Sequence, residues 1–322
     1  MISDFNVKTI CFAHPAYQMQ AAFTARDTGI DSFQVHSQDE LLARGKEGDI
    51  IVVSGLWRNE LLGQCPKLRY VQSISAGVDQ FDQSAFAAHG VRLASAQGGN
   101  ANAVSDHAMA LILAMYRLIP QARDNQMKQY WRPMISNIGE REDELTGKTL
   151  LLIGLGRIGG RVAKLAKAFE MKVIALRRDP DSGSGMADEV YGLAALKTQL
   201  PRADIVVLTC ALTPETTFIM NEEAFAAMKP TAKLVNVARG RVVNEAALIE
   251  ALKAGVISGA ALDTVVEEPL PASSPLWKLP NVFITPHSAG ETRLYEENVV
   301  DILLENIARL KRGDTALLNQ IV

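Results

Sequence analysis

Leu150-Leu151-Leu152-Ile153-Gly154-Leu155-Gly156-Arg157-Ile158-Gly159 is the stretch from which the architecture of this chain can be read. Four consecutive large apolar residues leave no polar face, as expected of a strand covered on both sides of a parallel sheet. They run straight into a GxGxxG loop, after which Ile158, Val162, Leu165, Ala166 and Phe169 recur at helical spacing. A glycine triplet alone is a weak signal, because such triplets arise by chance in loops. Set between a buried strand and an amphipathic helix, it is the dinucleotide-binding pattern. Gly154 permits the tight turn, Gly156 admits a pyrophosphate against the backbone, and Gly159 lets helix and strand pack closely. Backbone N–H groups where the helix begins, at Arg157 and Ile158, then meet the phosphate charge.

Outward from this loop, short apolar runs alternate with amphipathic stretches, which indicates βα units and parallel sheets. The spacing predicts strands at 9–13, 50–53, 70–74 and 91–93, with a helix at 38–44 among them. A long helix is expected over 102–116, kinked or ended by Pro120. A second series of strands is expected at 149–153, 172–176, 205–208, 233–237, 260–262 and 282–284, followed by a helical tail over 291–312. The fold class is therefore α/β, with two doubly wound parallel-sheet domains. At 322 residues, two domains are also what length alone leads one to expect.

The composition excludes several classes of function. Hydrophobic residues make up 48% and charged residues 21%, the balance of a soluble globular protein. A formal charge of −3 gives no reason to expect a nucleic-acid or anionic-membrane partner. Cys11, Cys65 and Cys210 form neither a metal-ligand pair nor an even disulfide set, so no metal site is expected and a reducing cytoplasm is. They read as buried, inert thiols. Residues 1–6 carry no leader signal, and no run reaches the roughly 18 apolar residues needed to span a bilayer. A cytoplasmic location follows as the expectation.

The residue after the strand at 172–176 reports on the ribose. An acid there would bind a 2′-hydroxyl, whereas this sequence has Arg177-Arg178. Two guanidinium groups suit a 2′-phosphate, so NADP(H) is expected over NAD(H), with NAD(H) still possible. Asp179 and Asp181 follow closely, and surface pairing with these arginines is the alternative.

Ligands of open parallel sheets bind beyond the carboxyl ends of the strands. The strands of the second series end there in Thr209-Cys210, Ala238-Arg239-Gly240, Asp263 and Thr285-Pro286-His287. Reduction of a 2-keto acid needs a cation to hold the carboxylate, an acid to protonate the oxygen, and an anion to keep that acid charged. Arg239, His287 and Glu268 supply those types. Singly, Glu267-Glu268-Pro269 reads equally as a solvated turn and Arg239-Gly240-Arg241 as an exposed basic loop; the combination with the glycine loop carries the functional reading. His14, His36 and His89 have no supporting context.

The motifs Gly154–Gly159, Leu212-Thr213-Pro214-Glu215-Thr216, Asn236-Val237-Ala238-Arg239-Gly240, Ala261-Leu262-Asp263 through Glu267-Glu268-Pro269, and Thr285-Pro286-His287 closely resemble those of the D-isomer-specific 2-hydroxyacid dehydrogenases. The pattern is nearest to NADPH-dependent glyoxylate/hydroxypyruvate reductases. The resemblance implies a flavodoxin-like substrate domain from residues 1–99 and 290–322. It also implies a Rossmann cofactor domain over 100–289 carrying a dimerisation arm, with catalysis in the cleft between them. It assigns Arg239 to substrate binding, Glu268 to pairing with the histidine, and His287 to acid/base work. Ser75-Ala76-Gly77 would hold the carboxylate, and Trp131, in the arm around Tyr130-Trp131-Arg132-Pro133, is the candidate for reaching a homodimeric partner's site. Around the cofactor it points to Gly154, Gly156, Arg157, Ile158, Gly159, Arg177, Arg178, Thr209, Leu212, Thr216, Val237, Ala238, Arg239, Asp263 and His287. His107, in the stretch resembling the family's interdomain helix start, reads as structural.

The expected activity is NADPH-dependent reduction of a small 2-keto acid, of glyoxylate or hydroxypyruvate type, to the D-2-hydroxy acid. Phenylpyruvate and phosphoglycerate remain alternative substrates, although the sequence ends at Val322 without the regulatory extension of many phosphoglycerate dehydrogenases. Formate dehydrogenases carry Gln where Glu268 stands. An alternative from another class is a cofactor-sensing interaction protein like the family's corepressor branch, which keeps the same triad. Leu56, Trp57 and Ser75 are expected to shape the substrate pocket.

Overall fold

Every named strand pairs in parallel in the computed structural model, which describes residues 7–322; the expectation about residues 1–6 falls outside them. The chain divides into two compact units, one made of residues up to 100 together with 291–322, the other of residues 101–290. Among the described residues, no helix is long and apolar enough to cross a membrane.

The first unit holds a five-stranded sheet of β1 (Thr9–Ala13), β2 (Asp31–Val35), β3 (Ile50–Val53), β4 (Tyr70–Ser73) and β5 (Arg92–Ala94). Its order is β2-β1-β3-β4-β5, the flavodoxin-like arrangement. Alternate side chains of each strand feed opposite faces. Ile10, Phe12, Ile50 and Val52 meet Val299, Val300, Leu303, Ile307 and Leu310 of the C-terminal helix Tyr295–Arg312. Cys11, Ile51, Val53 and Val71 meet Trp57, Phe81 and Phe86 on the other face. Trp57 is thus a core residue, 2% exposed, with its indole N–H donated to Asn59 Oδ1 at 2.8 Å, and the expectation that it shapes a pocket gives way to packing.

The second unit holds β6 (Thr149–Ile153), β7 (Lys172–Leu176), β8 (Glu189–Tyr191), β9 (Ile205–Leu208), β10 (Lys233–Asn236), β11 (Gly259–Leu262) and β12 (Val282–Ile284), ordered β12-β11-β10-β9-β6-β7-β8. This is a doubly wound Rossmann sheet, and its order reverses between β6 and β9. Leu151, Ile153, Ile174, Val206 and Leu208 face one layer. Leu150, Leu152, Val173, Ile205 and Val207 face the other, against Val104, Ala108, Leu111 and Ile112 of the long helix Ala101–Tyr116.

Two strands escaped the sequence reading, β2 and β8. Both are sheet edges, where Asp31, Ser32, Gln34 and Glu189 are tolerated because one side stays unpaired, so neither carries a continuous apolar run. Pro120 acts differently from a kink. Leu118 adopts φ 52° and a new helix, Ile119–Met127, starts with Pro120 in its first turn, where the missing N–H costs nothing.

The C-terminal helix is locked to its sheet by a buried polar cluster. Asn306, fully buried, donates to Tyr70 Oη at 2.8 Å and accepts from the Leu318 N–H at 2.6 Å, while Tyr70 donates to Gln72. Replacing one member orphans the others in a dry site. Asn306→Leu is expected to lower unfolding stability by about 2–4 kcal/mol, read by urea denaturation, with the secondary structure of the survivor unchanged by circular dichroism.

Candidate active site

At the point where the large sheet reverses, the ends of β6 and β9 touch. Gly154 sits at φ 106°, and a Cβ there would lie 2.6 Å from the Cys210 nitrogen. At Gly159 a Cβ would lie 2.1 Å from the Gly154 carbonyl oxygen. Both positions are closed to side chains by the protein itself. The Thr209 hydroxyl pins the turn by donating to the Gly154 carbonyl at 2.7 Å. Gly156 differs, since nothing lies within 4 Å of a Cβ placed there, and its φ of −94° is open to other residues. It is the N-cap of the helix Arg157–Ala168, and no side chain caps that helix. An open cradle before an uncapped helix start is what a pyrophosphate requires, so the residues present fit a dinucleotide.

Other expected cofactor residues surround this turn in different ways. Thr216, 4% exposed, braces its own loop by donating to the Ala211 carbonyl at 2.7 Å and accepting from the Thr213 N–H at 2.8 Å. Leu212 packs half-buried against the adjacent core, and Val237 and Ala238 are buried. Arg177 follows β7, half-buried, with its guanidinium donating to the Gly183 carbonyl at 3.0 Å and the Ser182 carbonyl at 3.5 Å; Arg178 is exposed. The carboxylate of Asp179 is engaged by the Ser182 hydroxyl, and the Asp181 N–H donates to it at 3.2 Å. Asp179 is held below the usual carboxylate range first by that hydroxyl and then by the Asp181 N–H, with Arg177 and Arg178 acting only through space.

The loop after β10 is shaped by Asn236, 1% exposed. Its side chain accepts from the Ala238 N–H at 3.0 Å and donates to the Arg239 carbonyl at 3.1 Å. Gly240 then lies flat on the next loop, where a Cβ would be 1.9 Å from the Val265 carbonyl oxygen. This approach sets half-buried Arg239 beside the segment leading to Glu268, whose Oε1 accepts from the Val265 N–H at 3.1 Å. The Arg239 guanidinium itself donates to the Ala238 carbonyl at 2.8 Å.

Glu268 and His287, nineteen residues apart, meet: Nδ1 of the imidazole lies 2.6 Å from Glu268 Oε2, and both side chains remain solvent-accessible. His287 sits at φ 54°, a conformation that non-glycine residues adopt only when the surroundings impose it. Asp263 imposes it. Its carboxylate, 3% exposed, accepts from the Thr285 hydroxyl at 2.6 Å, the Ser288 N–H at 3.0 Å and the Ala289 N–H at 3.1 Å. Its carbonyl accepts from the His287 N–H at 2.8 Å. Asp263 therefore faces inward, into the turn. Asn236, Thr285 and His107 are the residues to which the sequence reading gave no role at this edge; Asn236 and Thr285 lay inside quoted motifs, whereas His107 had no signal tying it to β12. Ser75, Ala76 and Gly77 follow β4 in the other unit, with Ser75 Oγ 2.7 Å from Ser54 Oγ. Trp131 is 96% exposed.

Comparison with known proteins agrees with this geometry. Residues 109–289 match the family described as D-isomer specific 2-hydroxyacid dehydrogenase, NAD binding domain. The chain is 35% identical over 288 residues to a glyoxylate reductase of Pyrococcus furiosus, covering 86% of this chain and 83% of that one. This chain belongs to the D-isomer-specific 2-hydroxyacid dehydrogenase family. It is also 37% identical over 281 residues to a D-3-phosphoglycerate dehydrogenase of Archaeoglobus fulgidus, covering 86% of this chain but only 52% of that protein, so it spans about half that relative's length. Among solved structures, the NADPH-dependent glyoxylate/hydroxypyruvate reductase of Sinorhizobium meliloti, in complex with NADP and malonate, superposes with a TM-score of 0.81 at 26% identity, covering 98% of this chain and 97% of that one.

The three cysteines stand apart from this chemistry. Burial pushes the Cys11 thiol up to about 12 and Cys210, beside the nucleotide turn, up to about 11; Cys65 is raised too. A raised thiol holds less thiolate at neutral pH, so Cys210 at pH 8 should alkylate with iodoacetamide at about one-hundredth the rate of a free thiol, measured by mass spectrometry. The glycines separate by a second measurement. Gly156→Ala is expected to weaken dinucleotide binding about tenfold or more with a melting temperature unchanged within about 2 °C, whereas Gly159→Ala lowers the melting temperature itself.

Proposed function

We propose that this family member reduces a small 2-keto acid, of glyoxylate or hydroxypyruvate type, to the D-2-hydroxy acid with NADPH. The 2.6 Å contact between His287 Nδ1 and Glu268, at the sheet edge that carries the dinucleotide turn, is the observation that carries this reading. The residues over 101–290 form the cofactor domain, and those up to 100 with 291–322 form the substrate domain.

The glycine turn at Gly154, Gly156 and Gly159 would hold the dinucleotide, which when bound would supply the hydride for the keto carbon. Arg239 holds the substrate carboxylate and polarises the ketone. Glu268 occupies Nδ1 of His287, which leaves Nε2 as the nitrogen that gives its proton to the ketone oxygen. The Glu268 carboxylate fixes the ring plane, the role an orienting acid plays beside a general acid. Arg177 and Arg178 bind the 2′-phosphate; Asp179 is already occupied by Ser182 and leaves the guanidinium groups available to an anion. The Sinorhizobium meliloti reductase, bound to NADP, supports this choice, and the Pyrococcus furiosus glyoxylate reductase supports the substrate class.

A homodimer is part of the same proposal. Ile119, Met127, Tyr130, Trp131, Met134 and Ile138 all expose more than half of their surface along one segment, an apolar stretch suited to a second copy. In it Trp131 is the residue assigned to the partner's substrate site.

The test is a steady-state panel of glyoxylate, hydroxypyruvate, pyruvate and phenylpyruvate with each cofactor. We expect kcat/KM with NADPH to exceed that with NADH about tenfold or more, and Arg177→Ala to erase most of the difference. Equal or better performance with NADH overturns the cofactor assignment. His287→Ala is expected to lose about 1,000-fold in kcat while NADPH affinity stays within about threefold. Full turnover in that variant would refute the proton donor.

A further inference from the structure

His107 lies on the helix Ala101–Tyr116, about 180 residues before the turn that carries His287, yet its Nε2 is 2.9 Å from Thr285 Oγ1. Thr285 has one hydroxyl proton, and it is committed to Asp263 Oδ1 at 2.6 Å. The hydroxyl therefore accepts from His107, whose Nε2 carries the proton. The same nitrogen is 3.5 Å from Asp263 Oδ1. The His107 side chain is 24% exposed, enough burial for the bond to persist.

The helix bearing His107 is itself anchored to the dinucleotide turn. The Ser105 hydroxyl donates to the Ile158 carbonyl at 3.3 Å as well as to Ala101. Asp106 pairs with Arg161, whose guanidinium also reaches the Asn102 carbonyl at 3.2 Å. Three consecutive residues thus divide their work: Ser105 and Asp106 grip the helix that follows the glycine loop, and His107 grips the turn after β12.

We propose that His107 is a positioning residue, setting through Thr285 and Asp263 the attitude of His287 relative to the dinucleotide turn. The inference rests on the proposed role of His287 as proton donor. His287 holds φ 54° while Asp263 gathers four donors of the 285–289 segment, and the Thr285 hydroxyl is held between Asp263, to which it donates, and His107, from which it accepts. Without it the Thr285 hydroxyl is free to rotate off Asp263, the turn loosens, and the imidazole samples orientations in which Nε2 is misdirected. Misplacement by about 1 Å is enough to cost about a hundredfold in rate.

The variants are His107→Leu, which fills the space without donating, and His107→Gln, whose amide nitrogen can stand where Nε2 stood. Thr285→Val cuts the same link from the other side and serves if His107→Leu does not fold. We expect His107→Leu and Thr285→Val to lower kcat about 10- to 100-fold with KM for NADPH little changed; the melting temperature stays near the parent's in His107→Leu and falls in Thr285→Val, which also takes a donor from the buried Asp263. His107→Gln should recover kcat to within about threefold of the parent. In the cofactor-free protein labelled with 13C-histidine, the ring Cε1–H signal of His287, assigned by its loss in His287→Ala, should broaden or split in His107→Leu and sharpen again in His107→Gln. Parental kcat and an unchanged His287 signal in His107→Leu overturn the proposal. So does a parallel loss of kcat, cofactor affinity and melting temperature in both His107 variants, which marks a merely structural side chain. His287→Ala, measured alongside, separates the two levels: an active His287→Ala removes the proton-donor reading itself, whereas an inactive His287→Ala with a fully active His107→Leu removes only the role of His107.

Discussion

A single buried carboxylate organises the chemical edge of the large sheet. Asp263 follows β11, is almost wholly withdrawn from water, and satisfies its oxygens on Thr285, Ser288 and Ala289. A carboxyl group in such a place is tolerable only when donors surround it. Here those donors are the backbone and hydroxyl of the neighbouring strand's exit, so meeting the needs of the carboxylate forces that exit into one shape. His287 is carried on the shape, and its left-handed backbone is maintained by bonds that would otherwise leave buried groups unpaired. Glu268 needs no comparable burial. It closes on the imidazole from a half-open loop, where a charge-assisted contact suffices.

The nucleotide turn is built on a different principle, exclusion of side chains. Gly154 and Gly159 are required by backbone atoms a few ångströms away, so they would be required whether or not anything bound there. Gly156 faces open space, and its lack of a side chain serves nothing within the protein. The distinction matters for reading glycine motifs: the first and third glycines speak for the fold, and the middle one speaks for a ligand. Gly240 belongs with the first kind, since it brings the Arg239 loop onto Val265.

Most of the architecture was legible because buried parallel strands cannot hide. The runs at β1, β3, β6, β7 and β9 are apolar on both faces, and the structure starts and ends those strands where the runs do. β2 and β8 were missed because an edge strand keeps a polar face, which erases the contrast a reader relies on. Trp57 is core material, an indole with a satisfied N–H among Phe81 and Phe86.

The sequence alone determined the α/β class, the dinucleotide turn, and the residue types Arg239, Glu268 and His287, because each follows from local order: a run, a spacing, a strand end. Tertiary structure decided what joins residues that local order keeps apart. Glu268 reaches His287 and Asp263 turns inward only because β11 and β12 are neighbours in the sheet. His107, within the stretch that resembles the family's interdomain helix start, reads from the sequence as merely structural. Its bond to Thr285 crosses most of the unit, and a hydrogen bond between residues so far apart leaves no period or spacing to read; only packing of that helix against the sheet creates it.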